Sequence, residues 1–475
     1  MLLVIKFGGT SVQDADRIRN AAGLVKHVLG QGHRVVVVTS AMAGVTNDLV
    51  KVLGEPAAAA GGADSRMADY FRFTKVLEQK HLEVARGAIR DARLIEEVAG
   101  ALYMERHGLD RILIGSHLLG ELTPIGFDYV VSEGERLCLP ILAGCLRDQG
   151  IDAVGLGGDE AGIVTDNNYG NSLPDEGRTR AAAREALLPL LEAARVPVVA
   201  GFYGRSGQGR VAILGRGGSD YTATLLGCSL DADEIWLLKH EVDGIKTTDP
   251  RLVPGAYTIS EMSYEIAAEM ALLGAKVLHP KSVQPAARHH IPVRIGTSTD
   301  LARPGTRLVP ARPGAAPGVA ALTLVRGGGL IRVNSPQMGD EGIIPESLID
   351  QFRRYNVDIL ASAAGLNGGR VLWLVGSLDL QRFLSVVREH IDGRLGLDVR
   401  ENVAVLGIVG EQVATAAGVF VRVACCLEKA GTQPLAILQG ASPDSIAVAL
   451  PDEEERLPAA LRLLHTELGL DRRAG

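Results

Sequence analysis

Leu2-Leu3-Val4-Ile5-Lys6-Phe7-Gly8-Gly9-Thr10-Ser11 opens the chain with an apolar run that ends at a lysine, two glycines and two hydroxyls. Four successive apolar residues before a glycine-bearing loop suit a short strand buried on both faces. An amphipathic stretch, 14–30, follows, and then Val35-Val36-Val37-Val38, a second run of the same kind. The rhythm recurs at 151–154 and 196–200, each leading into a glycine-bearing loop. A long helical insertion is expected over 64–120, with breaks around 54–62 and at Gly108. Strands alternating with helices in this way predict an α/β sandwich that binds ligands at the carboxyl ends of its strands.

The 475 residues allow two to four domains, and 47% apolar with 22% charged residues is the balance of a globular protein. Forty-nine basic against 56 acidic residues leave a net charge of −7, which argues against a nucleic-acid surface. Only 10 of the basic residues are lysine, so each lysine near a glycine-rich loop is weighed singly. Cys138, Cys145, Cys228, Cys425 and Cys426 form no Cys-x-x-Cys pair, which fits free thiols in a reducing compartment. No run of about 18 apolar residues is present for a membrane span, and the amino terminus is too short in apolar residues for a signal peptide. A cytoplasmic location is expected.

Composition shifts at 303–318, where four prolines fall within 16 residues and mark a strand exit and a linker. Beyond it an internal repeat is visible at a shift of 76. Gly342-Ile-Ile-Pro-Glu-Ser-Leu precedes Asn356-Val-Asp-Ile-Leu, as Gly418-Val-Phe-Val-Arg-Val-Ala precedes Thr432-Gln-Pro-Leu-Ala. Apolar strands follow at 371–375 and 446–450. Two copies of a small strand-helix-strand-strand module are expected.

Four glycine-bearing clusters carry the chemistry. Lys6-Phe-Gly-Gly-Thr-Ser11 sets a point charge at a strand end beside backbone able to approach phosphate oxygens; taken alone it is equally a tight turn. Gly215-Arg216-Gly217-Gly218-Ser219-Asp220 places a guanidinium among glycines, where it can grip a carboxylate bidentately, although Ser219 and Asp220 could simply cap a helix. Ser40 and Thr46 supply hydroxyls after the Val35–Val38 run. Ser132-Glu133-Gly134-Glu135-Arg136 offers carboxylates beside a glycine, or an exposed charged turn. Thr247-Thr-Asp249-Pro-Arg251 and Gly274-Ala-Lys276-Val-Leu-His279-Pro280 add a turn and a scarce lysine. His279, His289 and His290 lack metal-ligand spacing.

In that order, Lys6–Ser11, Gly215–Asp220 and Gly274–Pro280 resemble the signature set of the aspartate kinases, members of the amino-acid kinase superfamily. Gly120-Glu-Leu-Thr-Pro124, Ser132–Arg136 and Gly162-Ile-Val-Thr-Asp-Asn167 share the resemblance, which covers about 2–309. The repeat resembles paired ACT regulatory modules, with Leu438-Gln-Gly-Ala-Ser442 echoing their Ser-Gln-Gly-Ser-Ser pattern. The resemblance implies a three-layer αβα kinase domain over 1–309, a linker over 310–318, and two ferredoxin-like βαββαβ modules, 319–395 and 396–475, with interleaved sheets. It implies transfer of the γ-phosphoryl of MgATP to the side-chain carboxylate of L-aspartate. Lys6 would neutralise the moving phosphoryl group, with Gly8, Gly9, Ser11, Gly215, Gly217 and Gly218 around the phosphates. Arg216 would clamp the α-carboxylate of aspartate and Glu135 its ammonium, with Ser40, Thr46 and Ser219 as hydroxyl donors. Asp220 would orient Lys6 or substrate, and Asp249, Arg251 and Lys276 would surround ATP. Mg²⁺ would arrive on the nucleotide, with no protein cage.

The resemblance further implies a homodimer formed through the ACT modules and inhibition by L-lysine or L-threonine. The effector would meet Met338, Asp340, Gly342, Asn356, Val357 and Asp358. One segment departs from the family's Trp-Thr-Asp-Val-Asp-Gly. Here Trp236-Leu-Leu-Lys-His240-Glu241-Val242-Asp243-Gly244 puts Glu241 at the aspartate's place, His240 at the threonine's, and Lys246 where tyrosine is common. Altered or relaxed nucleotide preference is expected from it. Acetylglutamate, uridylate and carbamate kinases are the sibling alternatives, and an inactive amino-acid sensor is the non-enzymatic one. No fused homoserine dehydrogenase is expected, since the residues after the linker carry no Gly-x-Gly-x-x-Gly.

Overall fold

The structure, a computed structural model, describes residues 1–54, 63–240, 242–275, 277–311, 314, 316–334, 348, 350–352, 355, 357–365, 370–390, 396–439 and 442–471. From the amino terminus the elements are β1 (Leu2–Phe7), α1 (Ala15–Gly30), β2 (Arg34–Thr39), α2 (Val45–Gly54), α3 (Ala63–Ala88), α4 (Ala92–Leu119) and α5 (Pro124–Asp148). Then come β3 (Ala153–Leu156), β4 (Val164–Thr165), α6 (Glu176–Glu192), β5 (Val196–Ala200), β6 (Tyr203–Ser206), β7 (Val211–Ile213), α7 (Gly218–Ser229) and β8 (Glu234–Lys239). β9 (Glu261–Ser263), α8 (Tyr264–Leu272), α9 (Pro280–His289), β10 (Val293–Thr297) and β11 (Thr306–Val309) follow. The last part holds β12 (Ala321–Asn334), β13 (Ile359–Gly365), β14 (Arg370–Val375), α10 (Leu380–His390), β15 (Gly396–Val409), α11 (Val419–Lys429), β16 (Ala436–Gln439), β17 (Ser445–Pro451) and α12 (Arg456–Glu467).

The chain divides into two compact units, Met1–Asp243 with Lys281–Arg307, and Gly244–Pro280 with Leu308–Gly475. In the first, parallel strands run in the order β3-β5-β2-β1-β8-β10. Period-two alternation gives β1 two buried faces. Leu3, Ile5 and Phe7 join the core formed with α1 and α3 to α5, whereas Val4 and Lys6 lie on the side of α7, which packs on β1 and β8. Helices on both faces of a parallel sheet make this a three-layer α/β/α sandwich. The β3 strand begins two residues later than the 151–154 run suggested. Gly108 does not break α4. It sits mid-helix, where an added Cβ would lie 2.5 Å from the Tyr129 hydroxyl of α5, so this glycine serves close helix approach.

In the second unit one antiparallel sheet runs β13-β14-β12-β15-β17-β16. The repeat is plain: β12, β14 and α10 recur as β15, β17 and α12, each about 75 residues later. β12 and β15 pair along their length at the centre. The first copy therefore becomes βαββαβ only when β15 is counted as its last strand, its first helix being described at 348 and 350–352. The expected modules share their central strands.

The expected kinase domain, 1–309, differs from the first unit by the segment 244–280 and by 308–309, which belong with the second. The reason is bonding and burial. Leu322 donates its amide to the Thr247 carbonyl at 2.8 Å, Thr247 Oγ1 meets Nε2 of buried His465 at 2.9 Å, and Val253 joins the core beneath β15 and β17.

Candidate functional site

Lys6 ends the side of β1 that faces α7, and Asp220 lies in the first turn of that helix. Lys6 Nζ and Asp220 Oδ1 form an ion pair, both residues at most 6% exposed. A buried pair of this kind is costly to break by removing one partner. Gly217, with φ at +71°, caps α7 through its backbone, and no side chain caps the helix. Ser219 and Asp220 are therefore first-turn residues turned to other partners, not caps. Gly8 donates to the Leu238 carbonyl at 2.9 Å and opens a 3-10 turn, Gly9–Ser11. Gly9 admits the next loop, since a Cβ there would stand 2.8 Å from the Ala41 carbonyl oxygen.

Ser40 leaves β2 buried, and Thr46 stands half-buried in the first turn of α2. Glu135 is buried in α5, and its Oε1 accepts from Ser219 Oγ at 3.3 Å. Among the described residues its Oε2 has no hydrogen-bond partner. Burial pushes the Glu135 carboxyl up to about 8, with the Ala41 region, Ser219 and Lys6 pulling the other way. Residues 132–136 thus form a buried helical turn, not an exposed charged one. The first unit brings together Lys6, Gly8, Gly9, Ser40, Glu135, Ser219 and Asp220. Ser11 is also there but turns inward, accepting from Ser298 Oγ at 2.9 Å and donating to the Leu238 carbonyl at 3.5 Å. Arg216 is half-buried in the turn before α7. Gly215 has φ at +75°, and a Cβ there would meet Asn171 Oδ1 at 2.5 Å.

Three other residues were missed by sequence reasoning. Lys239, the last residue of β8, stands with its Nζ 3.9 Å from Asp220 Oδ2; its only sequence signal was scarcity. Phe202, after β5, holds φ at +77° and bonds its amide to Thr222 Oγ1 of α7 at 3.0 Å, a left-handed position that bulky residues rarely take. Asp128 of α5 accepts from the amides of Gly170 and Ile213 at 2.8 and 2.9 Å, bracing the strand that leads into Gly215. Burial pushes its carboxyl up to about 7.

The remaining candidates lie elsewhere in the chain. Asp249 and Arg251 are in the second unit, where Arg251 holds the Asp249 carboxylate through Nε and Nη2 at 2.6–3.2 Å. Val357 is buried there, and Asp358 lies 3.7 Å from Nε2 of His279. Lys276, Glu241, Met338, Asp340, Gly342 and Asn356 lie outside the described residues. In the departing segment, His240 is tied by its carbonyl to Thr297 Oγ1 at 3.1 Å, and Lys246 donates to Thr258 Oγ1 at 3.2 Å.

The Amino acid kinase family pattern matches residues 1–297. Lysine-sensitive aspartokinase 3 of Escherichia coli (strain K12) is 32% identical over 98% of this chain and 99% of its own. The chain belongs to the aspartokinases. Aspartokinase 2, chloroplastic, of Arabidopsis thaliana is 30% identical across 98% of this chain and 83% of its own length. Among solved structures, E. coli aspartokinase III in complex with aspartate and ADP (R-state) superposes with a TM-score of 0.80 at 28% identity, over 98% of this chain and 100% of that one. The same enzyme with lysine and aspartate (T-state) gives 0.76 at 28% identity, over 98% and 99%. The three-layer sandwich and the shared antiparallel sheet are thus an aspartokinase architecture. Among the described residues no helix is long and apolar enough to cross a membrane.

Proposed function

We propose that this aspartokinase transfers the γ-phosphoryl of ATP to the side-chain carboxylate of L-aspartate, giving 4-phospho-L-aspartate and ADP. The observation that carries the reading is the joining of Lys6, Asp220, Ser219 and Glu135 at the carboxyl end of β1 and the start of α7. A carboxylate oxygen of aspartate attacks the γ-phosphorus, and the bond from that phosphorus to the β-phosphate oxygen breaks. No proton need move, because the nucleophile is already ionised near neutral pH. The protein's task is alignment and charge neutralisation.

Lys6 meets the phosphoryl oxygens, and the Gly8 and Gly9 backbone lies close to them. Glu135 receives the substrate ammonium on Oε2, which has no hydrogen-bond partner among the described residues. The arriving cation lowers the Glu135 carboxyl from its raised value, and on binding its proton is released to solvent. Arg216 clamps the α-carboxylate, with Ser40, Thr46 and Ser219 as donors. Asp249, Arg251 and Lys276 are assigned to the nucleotide by resemblance alone. Among the described residues no three His, Cys, Asp or Glu side chains converge to hold a metal. By the resemblance, a Mg²⁺ would arrive on the nucleotide, held mainly by phosphate and water oxygens and supplying charge neutralisation of the phosphates.

The second unit reads as a pair of ACT modules sharing β12 and β15, through which the chain dimerises and answers L-lysine or L-threonine. The deciding experiment is an ADP-release and hydroxamate assay with L-aspartate beside N-acetylglutamate, UMP and carbamate. Turnover with aspartate is expected; turnover with another acceptor and none with aspartate overturns the reading.

A further inference from the structure

Lys239 stands in a relation to the site that the family resemblance does not assign. The register of the parallel pair sets Lys6 opposite Leu237 and Phe7 opposite Leu238. Side chains alternate, so Lys239, two residues past Leu237, falls on the face that carries Lys6. The geometry agrees: Lys6 Nζ takes one oxygen of Asp220, and Lys239 Nζ lies 3.9 Å from the other. Gly8 sits between the two lysines, since a Cβ there would be 3.5 Å from Lys239 Cγ and 3.6 Å from Lys6 Nζ.

Charge makes the second lysine consequential. Lys6 and Asp220 are a neutral pair, and a phosphate loop holding only that pair presents no net positive charge to two anionic reactants. Lys239 leaves the trio at +1. Its side chain is 22% exposed, against 6% for Lys6, so it is the more open of the two side chains.

We propose that Lys239 is a second catalytic lysine, placing its ammonium on the transferring phosphoryl group while Asp220 holds both lysines in position. Burial, reinforced by Lys6 and opposed by Asp220, keeps the Lys239 ammonium below the ordinary lysine range, and an arriving phosphate raises it again. The assignment rests on the aspartate kinase reading.

Lys239→Met, Lys239→Gln and Lys239→Arg in the full chain test it, with thermal melts beside steady-state kinetics in ATP and aspartate. The two neutral variants are expected to fold and to lose kcat by about 10²–10³-fold, the size seen when one preorganised electrostatic donor is removed. Their KM for aspartate should change by less than about threefold, and Lys239→Arg should regain at least about tenfold of the lost kcat. A neutral variant with kcat within about threefold of the parent overturns the proposal, as does an arginine variant no better than the neutral ones. Neutral variants that fail to fold also overturn it, since they make Lys239 a structural partner of Asp220. Failure of the underlying reading looks different: the parent chain itself would show no turnover with aspartate.

Discussion

At the scale of single residues, burial decides what the charged groups do. Lys6→Ala should lower kcat by at least about 10²-fold while ATP affinity, read by titration calorimetry, falls less than about tenfold, because the charge acts mainly on the transition state. Glu135 yields a pH signature. Its carboxyl is pushed up to about 8 by burial and must lose its proton to meet an ammonium. The value of kcat/KM for aspartate should therefore rise as pH approaches 8. Glu135→Gln should raise KM for aspartate by about 10-fold or more, the worth of a charge-assisted hydrogen bond, and flatten that limb. Lys6, Glu135 and Asp220 were legible in the sequence because each lies in a glycine-bearing motif. Lys239 was not, because no local pattern distinguishes a strand-end lysine facing a ligand from one facing solvent.

At the scale of elements, the site depends on how closely neighbouring backbones approach. Gly201 follows β5 and donates to the Thr39 carbonyl at 3.0 Å. A Cβ there would lie 2.8 Å from Ser219 Cβ and 2.9 Å from Ser219 Cα. Gly201→Ala should push the start of α7 away, costing about 1–3 kcal/mol by overpacking in chemical denaturation and lowering kcat/KM for aspartate more than it lowers ATP affinity. Strand positions were readable from apolar runs, as β2 and β5 show. Helix interiors were less so: Gly108 looked like a break, and only the Tyr129 ring packed against it shows why glycine is needed in a continuous helix.

At the scale of the whole molecule, three buried carboxyls set a pH dependence of stability. Burial raises Asp128 to about 7, Glu135 to about 8, and Glu133 well above its ordinary value. The native state then binds more protons than the unfolded chain above the usual carboxylate range. Unfolding free energy from these groups should fall as pH rises from about 5 to 8, by about 1.4 kcal/mol per pH unit for each extra proton held. Denaturation at pH 5.5 and 8 checks the sign, and Glu133→Gln should lessen the slope. For regulation, the proposed ACT pair predicts that L-lysine, L-threonine or the two together lower initial rates; flat titrations with all three would leave the shared sheet an assembly element only.

The sequence by itself determined the succession of strands and glycine loops, the repeat beyond residue 318, and the glycine-bearing motifs that hold Lys6, Glu135 and Asp220, because hydrophobic period and glycine placement are local properties. Only the tertiary structure decided that 244–280 belongs with the repeat, that β12 and β15 share one sheet, and that two lysines stand on one carboxylate. Those outcomes depend on hydrogen bonds and ion pairs between residues tens to hundreds of positions apart, and no local pattern in the chain encodes them.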